Sequence, residues 1–185
     1  MHFTVEAQNR CRPFILESSI AIDATAGNGF DTLFLAQCVG RQGRVYAVDI
    51  QADAIARTES KVAQAGYSHN VECILADHAL LGLHIPQEHY GNVSCAMFNL
   101  GYLPHSDKSV VTKSQSTIEA LNAIEPMLAR NAIVSILAYV GHQAGLDESL
   151  AVEDWITNRS DRYQIERLVD LENPSSPILW LLRNR

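Results

Sequence analysis

The sequence contains no apolar run of membrane-spanning length, and residues 1–20 lack the charged start, apolar middle and small-residue cleavage site of a secretory signal. Its cysteines, Cys11, Cys38, Cys73 and Cys95, form no C-x-x-C pair, which speaks against zinc ligation. Three of them lie in apolar segments, so we read buried free thiols rather than disulfides and expect a cytoplasmic protein without a metal site. Positive charge is also scarce. The 14 Lys and Arg stand against 21 Asp and Glu, and a formal charge of −7 argues against a general nucleic-acid binder. Arg10 with Arg12, and Lys108 with Lys113, still leave room for a local basic patch. Internal repeats, low-complexity tracts and linkers are absent, so the 185 residues read as a single domain. What is present is a globular composition, with 47% hydrophobic and 19% charged residues.

Strand-like runs at 20–25, 44–49, 71–75, 93–99, 133–139, 163–169 and 178–182 alternate with helical patterns at 32–39, 52–65, 114–128 and 148–158. An N-terminal helix over 5–16 is expected to be interrupted by Pro13. Strands separated by single helices imply a parallel sheet covered on both faces, hence an α/β fold. The short 173–177 loop, Asn-Pro-Ser-Ser-Pro, joins the last two strands without a helix and predicts a closing antiparallel hairpin. A seven-stranded, mostly parallel sheet ending in a hairpin is the layout of a Rossmann-like class I methyltransferase, not of an ordinary dinucleotide dehydrogenase.

In such a sheet the ligand lies beyond the carboxyl ends of the strands. The first strand ends at Asp23 and runs into Gly27-Asn28-Gly29, where glycines let the backbone approach a ligand and a helix N-terminus begins near Asp31-Thr32. Asp49 follows about 20 residues on, the spacing at which an acceptor-only carboxylate meets both ribose hydroxyls of an adenosine. Capping the helix that starts near Ala52 is its structural alternative. The third strand ends at Asp77-His78, which suits either an adenine edge or a loop cap. The fourth runs into Asn99-Leu100-Gly101-Tyr102-Leu103-Pro104. That set is similar to the Asn-Pro-Pro-Tyr of some amine-directed methyltransferases, without the paired prolines; an ordinary Gly-Pro loop is the bland reading.

Long blocks of the chain resemble the bacterial rRNA methylase family. They are Asp23-Ala24-Thr25-Ala26-Gly27-Asn28-Gly29, Asp31-Thr32, Asp49-Ile50-Gln51, Phe98 through Pro104, Asp107-Lys108 and Tyr139-Val140-Gly141-His142. The resemblance implies S-adenosyl-L-methionine as methyl donor, held by Asp23, Gly27, Asn28, Gly29, Phe30, Asp31, Thr32, Asp49, Gln51, Asp77 and His78. Some members methylate the amine of 5-aminomethyluridine at the tRNA wobble position, which implies an RNA acceptor, the tRNA anticodon loop. In that setting Asn99 and Leu100 carbonyls orient the amine, Tyr102 stacks on the uracil and His142 relays a proton or braces the site. This sequence departs from the family at Phe30 (usually His), at Val48 (usually Phe) and at Arg130-Asn131-Ala132, where a Gly-Gly turn is usual. An rRNA acceptor, a small-metabolite acceptor and a non-catalytic adenosyl-ligand binder stay open, as does a homodimer. The donor-based readings should bind S-adenosylmethionine and not NAD.

Overall fold

A computed structural model describes residues 2–101, 112–141, 143–173 and 175–185. Chain order gives α1 (Phe3–Cys11), β1 (Ile20–Asp23), α2 (Phe30–Val39), β2 (Arg44–Asp49), α3 (Ala52–Gln64), β3 (Val71–Leu75) and α4 (Leu81–His84). It continues with β4 (Val93–Leu100), α5 (Ser114–Ile124), β5 (Leu128–Ala138), α6 (Gln143–Thr157), β6 (Tyr163–Leu168) and β7 (Ile178–Asn184). The strands form one sheet in the order β3-β2-β1-β4-β5-β7-β6. All pairings among β1 to β5 are parallel, whereas β7 runs antiparallel to both β5 and β6. The expected hairpin is therefore present, with β7 inserted between β5 and β6. The order reverses between β1 and β4, which places a ligand crevice at their carboxyl ends.

Both faces of the central strands are buried, and the period of two is visible in what each residue touches. Ile22, Tyr46, Val48, Phe98, Ile136 and Trp180 face a core closed by Leu81 of α4, Leu121 of α5 and Val152 and Trp155 of α6. Their neighbours Ala21, Val45, Met97, Leu137 and Leu181 face the opposite core, closed by Phe3, Ala7 and Cys11 of α1 and by Phe34, Leu35 and Val39 of α2. Strands buried on both sides read as continuous apolar runs, which is why the central ones were easy to find.

The ends of elements differ from the sequence-based expectation for identifiable reasons. The predicted 114–128 helix stops at Ile124, because Pro126 sits in a 3-10 turn over Glu125–Met127 and cannot continue the α-helical ladder. β5 begins at Leu128 instead of residue 133. Its polar start passes through a register shift against β4, with Asn131 at φ +63°. Asparagine is one of the few side chains that tolerates this left-handed region, and it stands where the resembling family has glycines. The N-terminal helix ends at Cys11, and Pro13 belongs to a separate 3-10 turn. β1 ends at Asp23 rather than residue 25, and α2 starts two residues early at Phe30. The last long helix starts at Gln143, five residues before the expected 148. The four-residue α4 has too little pattern to be seen in a sequence. No helix of the described residues is long and apolar enough to cross a membrane.

Replacing Asn131 tests the left-handed position. Asn131→Gly should melt in urea within about 0.5 kcal/mol of the parent, and Asn131→Val should lose about 1–2 kcal/mol, the cost of forcing a branched residue into that conformation. Equal stability of the two variants would contradict the assignment.

Candidate functional site

The carboxyl ends of β1 to β4 surround a cavity of about 640 Å³, within the roughly 300–1,000 Å³ of small-molecule sites. Its first wall is the turn after β1. Asp23 is buried at the strand end; its Oδ2 accepts the Thr32 hydroxyl at 2.6 Å and its Oδ1 the Thr25 N–H at 3.2 Å. With both oxygens committed inward, the carboxyl group ties the strand to α2 across the glycine turn. The Ala26 N–H donates to the Val48 carbonyl at 2.9 Å and the Gly29 N–H to the Ala26 carbonyl at 2.8 Å. Gly27 and Gly29 have φ of +54° and +73°, both in the left-handed region.

At the end of β2, Asp49 accepts the Gly27 N–H through Oδ2 and the Gln51 N–H through Oδ1, each at 2.9 Å. Asp49 is thus not the N-cap of α3; Gln51 holds that position without a side-chain cap bond. Each carboxylate oxygen keeps lone-pair capacity for a further donor. At the end of β3 the side chain of Asp77 accepts the Ala79 N–H at 2.9 Å, so the loop-cap alternative is realised. His78 is buried, with Nδ1 3.3 Å from the Ala24 carbonyl. Bonding to a carbonyl makes Nδ1 the protonated nitrogen. Burial lowers the pKa of the ring, and Nε2 is buried with no hydrogen-bond partner among the described residues, the nearest carboxylate being Asp77 Oδ1 at 3.9 Å.

The opposite side of the cavity is built differently. Asn99, at the end of β4, receives at its own N–H the Thr25 hydroxyl oxygen as acceptor, at 2.7 Å. Its side-chain amide donates to Asp31 Oδ2 at 3.3 Å, and its amide carbonyl accepts no hydrogen bond among the described residues. Asp31 Oδ1 accepts the Gln8 side chain at 2.7 Å, so α1 contributes to the site through Gln8 as well as Thr4 and Val5. Burial raises the pKa of Asp31. It raises that of Asp23 to about 7, burial being the largest cause and the charge of Asp31 the next. Near the rim, the exposed ring of Phe30 carries the Lys61 ammonium 3.9 Å from its centroid.

Among the sequence-predicted site residues, Gly27, Asn28, Phe30, Asp31, Asp49, Gln51, Asp77, His78 and Asn99 line the cavity. Asp23, Gly29 and Thr32 stand behind the lining. Asp23 and Thr32 spend their polar atoms on each other. Gly29 faces α3, where a Cβ would come within 2.9 Å of the Thr58 Cα. Backbone conformation and helix packing each require glycine there. Tyr102 and His142 lie outside the described residues. Sequence reasoning missed Gln8, Thr4 and Val5, because the pattern of α1 shows its buried stripe of Phe3, Ala7 and Cys11 and nothing marks the residue beside it.

The sheet order, the antiparallel β7 and an acid at the end of β2 bonded to the glycine turn define the class I methyltransferase fold, whose cofactor is S-adenosylmethionine. The residues present fit that group: Asp49 retains acceptor capacity for vicinal hydroxyls, and His78 offers an adenine edge a buried ring nitrogen that has no hydrogen bond among the described residues. The chain belongs to the rRNA methylase family, whose model, described as "Putative rRNA methylase", matches residues 45–183. It is 36% identical to the Arabidopsis thaliana "tRNA (mnm(5)s(2)U34)-methyltransferase, chloroplastic", over 92% of this chain and 65% of that protein. The chain therefore spans about two-thirds of that relative's length. Among solved structures, a "putative rRNA-methylase" from Clostridium thermocellum superposes with a TM-score of 0.93 at 31% identity, covering 98% of this chain and 97% of the other. A "putative methyltransferase" from Streptococcus mutans in complex with SAH superposes with a TM-score of 0.86 at 28% identity, again over 98% and 97%.

Two measurements follow. Asp49→Ala should weaken S-adenosylmethionine binding in calorimetry by about 2–3 kcal/mol, the loss of hydrogen bonds to a charged acceptor; unchanged affinity would remove Asp49 from the donor site. Asp23 has a folded-state pKa above its unfolded value near 4, so its stabilising contribution is complete at low pH. That contribution should fade as pH rises towards about 7. Asp23→Asn, which keeps an acceptor for Thr25, should flatten urea-derived stability across this window; an unaltered slope would exclude Asp23 as its source.

Proposed function

We propose that the protein transfers a methyl group from S-adenosylmethionine to the primary amine of an RNA nucleotide, 5-aminomethyluridine at the wobble position of a tRNA anticodon loop. The observation that carries this reading is the orientation of Asn99. Its amide N–H is engaged by Asp31, so its carbonyl oxygen is the group offered to a hydrogen-bond donor beside the cavity. An amine donor suits that acceptor, and the tRNA-modifying relative supports the nucleotide chosen.

When bound, S-adenosylmethionine supplies an activated methyl group. The chain's own contribution is position. Asp49 and the Gly27 turn would hold the adenosine half, and His78 would meet its adenine edge. Asn99 holds the acceptor nitrogen on the other side. Such orientation supplies most of what an amine with a free lone pair needs. Phe30 stands at the rim where the family has His, its ring accompanied by Lys61. From the sequence alone, Tyr102 is assigned to stacking on the uracil.

Labelled donor incubated with separated tRNA, rRNA and metabolite fractions should mark tRNA. Label confined to rRNA or to metabolites would overturn the acceptor. Asn99→Ala should leave donor affinity within about threefold and lower single-turnover transfer by on the order of 100-fold, the scale of a lost orienting contact. Transfer at the parent rate would make Asn99 a loop residue.

A further inference from the structure

We propose that Asp31 is the proton acceptor and charge partner of the incoming amine, a role on the acceptor side of the cavity rather than in holding the donor. The inference rests on the amine reading above.

Asp31 differs from the other carboxylates of the crevice in what holds it. Asp49 accepts two backbone N–H groups and Asp77 one. Asp31 accepts only two neutral side-chain amides, those of Gln8 and Asn99, and no cation pairs with it among the described residues. It is partly buried and lines the cavity. A carboxylate withdrawn from water and met only by neutral donors favours a cation as its ligand. Asn99 shares a hydrogen bond with it, so a nitrogen held by the Asn99 carbonyl arrives next to the Asp31 carboxylate.

The chemistry requires such a group. An alkyl amine has a reference pKa near 10 and enters as the ammonium, without a lone pair to attack. One N–H proton passes from the ammonium to a carboxylate oxygen of Asp31, leaving a neutral amine and a carboxylic acid. The freed nitrogen pair forms the N–C bond as the donor's C–S bond breaks, and that bonding pair stays on sulfur. Nitrogen becomes a secondary ammonium. Asp31 then releases its proton to water and faces the product charge as a carboxylate. Burial raises the pKa of Asp31 towards that of a desolvated amine, which narrows the gap the proton must cross. Among the described residues, the titratable groups around Asp31 are the Asp23 carboxyl group from β1 and the Cys95 thiol from β4; Gln8 from α1 and Asn99 from β4 are neutral.

The test uses Asp31→Asn, which retains an oxygen for Gln8, and Gln8→Ala, which keeps the carboxylate; melting curves check that each is folded. Without donor, fluorescence anisotropy compares an anticodon stem-loop carrying 5-aminomethyluridine with one carrying uridine. The parent should prefer the aminomethyl stem-loop by about tenfold or more, and Asp31→Asn should erase the preference, as expected for a lost charge-assisted contact. With saturating donor at pH 7, single-turnover transfer by Asp31→Asn should fall on the order of 100-fold. It should then recover about tenfold per pH unit as the amine deprotonates by itself. Calorimetric donor affinity should stay within about twofold. Gln8→Ala should move the rising limb of the rate profile to higher pH, because it removes a bond that favours the charged form of Asp31. The proposal is overturned if Asp31→Asn keeps the preference and the rate, if donor affinity falls in step with the rate, or if the rate loss is the same at every pH. A parent protein that neither prefers nor methylates the aminomethyl stem-loop would instead overturn the amine reading itself, and this proposal with it.

Discussion

Two hydrogen bonds to the Asp23 carboxyl group hold the point where the sheet gives way to its ligand cavity. One comes from the backbone just past β1 and the other from the Thr32 hydroxyl in the first turn of α2, so together they bridge the whole glycine turn. With Thr32 fixed inward, the preceding residue of the helix, Asp31, is turned towards the cavity. The turn's other anchor is Asp49, which takes the Gly27 N–H from the neighbouring strand. Removing either anchor would loosen both halves of the crevice, because the same short stretch of chain lines each.

The two halves are electrostatically unlike. Where an adenosine is expected, carboxylates are already engaged by backbone N–H groups, and His78 is kept neutral by burial. On the other side the carboxylate of Asp31 meets, among the described residues, only amides. The chain carries a net charge of −7, yet it keeps a second carboxyl group, Asp23, close enough for the charge of Asp31 to oppose its ionisation. Like charges held this close are costly, and proteins keep them chiefly where a site uses them.

The fold was legible because strands buried on both faces and a helix-free final connection each leave a direct mark in sequence. The glycine turn and Asp49 were legible because their spacing follows from geometry common to doubly wound sheets. Other features left no such mark. Asp23 and Thr32 belong to the same motif as the true lining residues, and only coordinates separate a carboxyl group facing the core from one facing a ligand. Asn131 replaces a glycine by exploiting a conformation that no pattern of hydrophobicity encodes. Gln8 reaches the site from far off in the chain, its side-chain bond to Asp31 spanning 23 residues.

That last bond makes one wall of the cavity depend on α1, a helix of nine residues with no side-chain cap at its N-terminus. A helix this short is marginal on its own and is retained by burying Phe3, Ala7 and Cys11 against the sheet. It can therefore detach in a local opening that leaves the seven strands paired, at a free energy well below that of global unfolding. In that open form Asp31 would be hydrated and would lose its Gln8 partner while the adenosine half of the crevice stayed intact. The protein would then still hold a donor but present no closed acceptor wall, and amide hydrogens of α1 would exchange long before those of the central strands.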